Sequence, residues 1–252
     1  MKQYNKLLIG LAAGLLILSG SASAAVVGSK HDMTTATGAA VQTTAATDQV
    51  CVFCHTPHGS DATVTAAPLW NKSLPLATAF TEYTSSTMDG AADLTSSVSL
   101  ACLSCHDGTQ AMDTVLNAPT TYGPDNYNYN AAGAEISLTE IAAMAGTPVP
   151  VLGTDLQNDH PVSMPYGGGG AAFGAIVAAG ATIDTAFEAV SVSAGGQSFA
   201  DDGINTLPLY DKGGVAFVEC ASCHDPHGGI VDTPFLRVSN AGSAVCVTCH
   251  VK

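Results

Sequence analysis

Basic residues are scarce in this chain: seven Lys and Arg stand against 21 Asp and Glu, a formal net charge of −14 with neutral histidines. Residues 1–24 hold two of the seven, Lys2 and Lys6, and no acid, so the remainder sets five basic residues against 21 acidic ones, or −16. A surface of that sign repels phosphate backbones, which excludes nucleic acid as a partner and favours cationic or metal-bearing ones. Charged residues of both kinds make up only 11% of the chain and aromatics 6%, with a single Trp. Small residues take their place, including 26 Gly and long Ala, Thr and Ser tracts, so there are few large side chains from which to build a close-packed interior. A long hydrophobic run is missing as well. The apolar stretch from Leu7 to Leu18 falls short of the roughly 20 residues a membrane span requires. With Lys2 and Lys6 before it and Ala22-Ser23-Ala24 behind it, it reads as an export signal over 1–24, which predicts an extracellular or cell-surface protein with no membrane span in its mature form.

Cysteine is the exception. All eight fall in four pairs of one spacing, Cys51/Cys54, Cys102/Cys105, Cys220/Cys223 and Cys246/Cys249. In an exported protein such pairs suggest disulfides, and two-residue spacing also suits zinc. A histidine, however, follows every pair: His55, His106, His224 and His250. With 8 His among 252 residues, four such coincidences arise by chance about once in a million. The pattern is that of covalent c-type haem attachment, in which two thioethers hold the ring and the adjoining histidine is the proximal ligand of the iron. Four haems c per chain follow.

Four histidines remain: His31, His58, His160 and His227. Four proximal and four further histidines close the count of a tetrahaem protein with histidine on both faces of every iron. Met33, Met88, Met112, Met144 and Met164 are the competing axial ligands. Bis-histidine haems have lower potentials than His/Met haems and no open position for a substrate, so electron transfer without catalysis is expected. Two of the extra histidines lie within the attachment phrases themselves, His58 in CVFCHTPH and His227 in CASCHDPH. Three residues of chain cannot carry a side chain round a porphyrin from the face its neighbour occupies, so each ligates a different haem or none, and the repetition of the phrase favours ligation. Pro57 and Pro226 stop a helix at that point and turn the second histidine outward.

The ends of the chain repeat. CVFCHTPHG, PLWN and CLSCH in the first half answer to CASCHDPHG, PFLR and CVTCH in the second, which marks a duplicated two-haem module. The expected organisation is an N-terminal arm over 25–50, poor in large side chains, and one tetrahaem cytochrome domain over 51–252. That domain divides into a two-haem module at 51–110, a haem-free insert at 111–206 and a second two-haem module at 207–252. Within the insert, helices are expected near Leu138 to Ala145 and Ala175 to Val190. Leu207 to Cys220, reading LPLYDKGGVAFVEC, alternates about Asp-Lys-Gly-Gly as a β-hairpin does. The fold class is a multihaem cytochrome c, mostly irregular coil with few short helices and a β-hairpin, its core formed by stacked haems.

The attachment phrases stand in order with His31-Asp32, Pro68-Leu69-Trp70-Asn71, CLSCHDGT, Asp159-His160-Pro161-Val162, Phe235-Leu236-Arg237 and Ser239-Asn240. In that order the chain resembles the tetrahaem outer-surface cytochromes of the OmcE type, which polymerise into extracellular electron-conducting filaments. The resemblance covers most of the mature chain. It implies a row of closely packed haems through each subunit, and a homopolymer in which a histidine near the mature N-terminus, here His31, ligates a haem of the adjacent subunit. Other electron-transfer cytochromes or extracellular metal acceptors are the implied partners. A soluble periplasmic electron shuttle and a multihaem reductase with one open haem site are the alternative functions.

Overall fold

The structure of the protein, a computed structural model, describes residues 26–33, 49–63, 67, 69–109, 115–117, 151–228 and 235–252. The export signal, most of the arm, the helix expected at Leu138 to Ala145 and much of the insert lie outside the described residues.

Among the described residues α-helices are few and short, and they sit on the attachment phrases. α1 (Ser99–His106) and α2 (Cys220–Cys223) carry the second and third pairs, while α3 (Ala244–Val247) and a 3-10 turn at Val50–Phe53 carry the first cysteine of the fourth and first pairs. In the first, third and fourth phrases the histidine N–H donates to the carbonyl of the first cysteine, at 2.8, 3.0 and 3.0 Å. One helical turn of this kind puts positions i, i+3 and i+4 on a single face, so both sulfurs and the imidazole point the same way. α1 is longer because Leu100, Ala101 and Leu103 bury its other side, and it ends where Gly108 adopts a φ of +74°.

Strands form two small antiparallel sheets. β1 (Met164–Pro165), β6 (Val215–Val218) and β5 (Tyr210–Lys212) make one, and β2 (Ala189–Val192), β3 (Ser198–Asp201) and β4 (Thr206–Pro208) make the other. The hairpin expected in Leu207 to Cys220 is the β5–β6 pair, closed at Lys212 opposite Val215. Gly213 and Gly214 have φ of +64° and +85°, the mirror-image turn that matches strand twist and that glycine enters without steric cost. The helix expected from Ala175 to Val190 does not form. Gly180 turns the chain there with a φ of +68°, and the β-branched Val177 and Val190 bridge each other as extended residues instead. Insert and second module are also interleaved: β1 belongs to the insert yet pairs with β6, and β4 spans the boundary at 206 and 207.

Apolar packing is distributed. One cluster gathers Phe80, Leu94, Val98, Leu100, Leu103 and Leu156 around α1, and a second gathers Tyr166, Val177, Ile183, Val190 and Leu209 between the sheets. A third, small one joins Met33 to Phe53. It docks the described part of the N-terminal arm, residues 26–33, which fold into a turn. Asp32 is fully buried and accepts the Gly28 N–H at 2.7 Å, and Met33, one of the competing axial ligands, packs on Phe53.

The duplication is legible atom by atom. Thr56 N–H donates to the Leu69 carbonyl and Asn71 N–H to that of Cys54, at 2.8 and 2.9 Å; Asp225 N–H donates to the Phe235 carbonyl and Arg237 N–H to that of Cys223, both at 2.8 Å. Leu69 and Phe235 share a positive φ, +57° and +62°, unusual for residues with a Cβ. The side chains correspond as well: Asn71 Nδ2 donates to the Val52 carbonyl at 2.7 Å, and Arg237 Nε to that of Ala221 at 2.9 Å. Asn71 is fully buried and ties Val52 to Asn117 through three side-chain hydrogen bonds. Asn71→Ala strands those groups and is expected to cost about 2–4 kcal/mol, read as a lowered denaturant midpoint in the haem-loaded protein.

Candidate haem-attachment and ligation sites

All eight cysteines are free of disulfides. Among the described residues no group of three or more His, Cys, Asp or Glu side chains is gathered to hold a metal ion directly, as a zinc site requires. The pairs instead approach one another in chain order. Cys54 lies within electrostatic range of Cys105, which places the first site near the second. Cys102 and Cys220 share a side-chain hydrogen bond linking the second and third, a coupling that raises Cys102 far above the usual thiol range and lowers Cys220. Cys223 and Cys249 interact across the third and fourth. Burial leaves these thiols neutral: it pushes Cys54 and Cys249 up to about 12 and Cys223 to about 11.

Histidines from distant segments face each other across gaps that suit an iron. The His55 and His227 rings lie 6.1 Å apart between centroids and within 17° of parallel, and those of His31 and His106 lie 6.2 Å apart at 74°. Two imidazoles bonded at about 2 Å to opposite sides of one metal put their centroids roughly 6.3 Å apart, so at these separations each pair would be able to hold one haem iron between its two rings. His227 thus meets the proximal histidine of the first site, not the adjoining His224. His31, expected at a neighbouring subunit's haem, stands here beside His106 of its own chain. Its ring stacks on Phe235 at 4.6 Å and its Nδ1 faces the Pro226 carbonyl at 3.3 Å, which leaves Nε2 for a metal and orients the ring. Burial lowers its pKa, the Pro226 carbonyl opposing, with a further lowering from His106.

The remaining ligands are more open. His250 packs on Phe187 at 5.0 Å, and its pKa is lowered first by burial and then by the nearby His160. His160 is exposed, with Nδ1 2.9 Å from the Pro161 carbonyl. His58 is exposed too, its carbonyl accepting from Thr56 Oγ1 at 2.9 Å and Asn117 Nδ2 at 3.2 Å. His224 bridges to Leu236 as His55 bridges to Trp70, the same step of the repeat.

Residues 213–252 match the doubled CXXCH motif family. That match covers the third and fourth sites and indicates a multihaem c-type cytochrome, with covalent haem c as cofactor and electron transfer as its ordinary role. No curated protein matches the chain. The haem expectation therefore rests on two legs, a recognised motif at one end and its structural duplicate at the other.

Two residues that the motif reading passes over matter to the site. Lys72 is 1% exposed, within electrostatic reach of the Cys54 and Cys105 sulfurs. Glu219 is 2% exposed and accepts the Ser97 and Ser99 hydroxyls, both at 2.5 Å, the Ser163 hydroxyl at 3.3 Å, and the Ser222 N–H that caps α2. The only signal for it in the sequence is its place before Cys220, at a helix N-cap. Burial raises its pKa above the ordinary 4.5, against the serines and Lys212. A raised value means the folded state holds this proton more tightly than the unfolded state, so the stability it contributes is complete below 4.5 and is lost as pH rises through the folded value. Glu219→Gln is expected to flatten that decline, which thermal melts from about pH 4 to pH 8 will show.

Proposed function

We propose that the protein is a tetrahaem electron conduit which assembles, as a subunit, into an extracellular filament. The observation that carries the conduit is the meeting of the four attachment sites in chain order, together with paired imidazoles at iron-spanning distance. Bound haem supplies one-electron chemistry between ferric and ferrous iron. The chain supplies the rest: thioether cysteines fix each ring in place, histidines on both faces exclude substrate from the iron, and the crossed pairing of His227 with His55 ties the third site to the first through a few residues of backbone. Such fixed neighbours favour electron hopping over catalysis.

The filament reading is supported by the export signal, the resemblance to surface cytochromes that polymerise, and the arm. Residues 26–33 reach the body of the protein through the fifteen residues 34–48, which extended span about 50 Å, enough to dock on a neighbour as easily as on the parent chain. Exchange of an identical docking segment between copies requires no new interface. In the filament, the His31 that faces a given His106 comes from the adjacent subunit. His31→Ala is expected to leave soluble monomers in which one haem is high-spin or water-ligated and three stay low-spin, read by sedimentation and electron paramagnetic resonance. Normal filaments from that variant, seen by electron microscopy of material sheared from cells, would sink the assembly reading while leaving the conduit intact.

A further inference from the structure

Four charged side chains are buried among the described residues, Asp32, Lys72, Asp107 and Glu219; of these, Lys72 and Glu219 carry opposite charges at different points along the row of attachment sites. Lys72 lies between the first and second. Trp70 Nε1 donates to Ser104 Oγ of the second phrase at 3.3 Å and the Asn71 backbone N–H to the Cys54 carbonyl of the first at 2.9 Å, so the segment that carries Lys72 is wedged between the two motifs. Glu219 lies between the second and third, where its carboxylate joins the Ser97 and Ser99 approach to α1 to the first turn of α2, and where Cys220 N–H donates to Ser99 Oγ at 3.0 Å. Both groups are almost without solvent, which is costly for a charge and unhelpful for solubility, the more so in a chain with five basic residues beyond its first 24. A nearby carboxylate favours the more positive ferric state of an iron, and a nearby ammonium the ferrous.

Resting on the electron-conduit reading, we propose that Lys72 and Glu219 are positioning residues that set a potential step along the haem row. Lys72 makes the first site easier to reduce, Glu219 makes the third harder, and their effects oppose at the second. Electrons entering the row therefore settle toward the first site. Other charged and titratable groups facing Glu219 are few. Lys212 on β5 is engaged by Asp93 at 2.9 Å, Tyr210 on the same strand is half-buried, Arg237 near Tyr210 and Cys223 is paired with Asp225 at 3.4 Å, and Cys102 and Cys220 become uncharged thioethers once haem is attached.

The test is potentiometric titration, at a pH above the window in which Glu219 ionises, of the haem-loaded full chain and of Glu219→Gln, Glu219→Asp and Lys72→Met, each first shown by intact mass to carry the wild-type number of haems. Glu219→Gln keeps the shape and lets the serine hydroxyls turn to accept, so a purely structural role moves nothing. At fixed ambient potential, one haem is expected to become about tenfold more reduced in Glu219→Gln and one about tenfold more oxidised in Lys72→Met, the scale of a single charge in a partly buried setting. Glu219→Asp returns the titration toward wild type. Unmoved potentials, shifts of the same sign, or a shift in only one of the two variants overturn the proposal. A wild-type chain whose irons are high-spin removes the conduit reading beneath it, which spectra recorded before the titration reveal separately.

Discussion

His227→Ala is expected to convert one haem to a high-spin iron while the haem complement stays that of the wild type. Its ring lies 6.1 Å from that of His55, and its own attachment phrase already supplies His224 as a ligand elsewhere, so its loss opens the first site and no other. The substitution is mild for the protein. The His227 side chain is 57% exposed, and the contacts at its position are a backbone N–H donated to Asp225 Oδ1 at 3.0 Å, which alanine keeps, and a long side-chain approach to the same carboxylate at 3.6 Å. Thioether attachment through Cys51 and Cys54 does not depend on the distal ligand. Electron paramagnetic resonance of the oxidised variant is expected to show a new high-spin signal of one iron per chain beside three low-spin ones, and intact mass an unchanged haem complement. A spectrum identical to the wild type would refute the pairing of His227 with His55. His58→Ala, as the equivalent position in the first phrase, is expected to give the same outcome at a different haem.

Replacing Cys220 and Cys223 together by serine removes one haem mass and lowers the stability of the whole protein, not only of its C-terminal half. Cys220 stands where several parts of the fold converge: its sulfur meets Cys102 of the second site, its N–H is held by Ser99, and Glu219 beside it gathers serines from three segments. Losing the ring there also uncovers the surface it would bury, which in a chain so poor in large side chains is worth several ordinary core residues, on the order of 5 kcal/mol or more. Intact mass and a thermal melt followed at the Soret band check both parts. A variant that keeps every haem, or that melts with the wild type, contradicts the assignment. The row would also be cut in its middle, so electron transfer through the protein is expected to fall far more than one quarter.

How much of this was legible beforehand differs by kind of residue. Attachment is written locally: two sulfurs and an imidazole must share one helical turn, and a turn is set by spacing, so Cys51, Cys102, Cys220, Cys246 and their partners were readable in order, as was the hairpin, whose Gly213-Gly214 turn is equally local. The duplication was visible as repeated phrases, and its reality in space follows because the same short segments make the same backbone hydrogen bonds. Distal ligation is a different matter. Spacing shows that His58 and His227 cannot serve the haems beside them, but nothing in it says that His227 meets His55 or that His31 lies by His106, since those pairs join segments 172 and 75 residues apart. How residues 26–33 dock was not legible, because composition conceals the burial of Asp32 and Met33 that holds them. The expected helix at Ala175 to Val190 failed because periodicity alone cannot weigh a left-handed Gly180 against small-residue helix propensity. Lys72 and Glu219 were invisible for the plainest reason: whether a charge is buried depends on what the rest of the chain packs over it. By itself, then, the sequence determined the chemistry, because covalent attachment is a matter of nearest neighbours along the chain; the tertiary structure alone decided which histidines come together and where the buried charges fall, because those depend on long-range packing that no local pattern encodes.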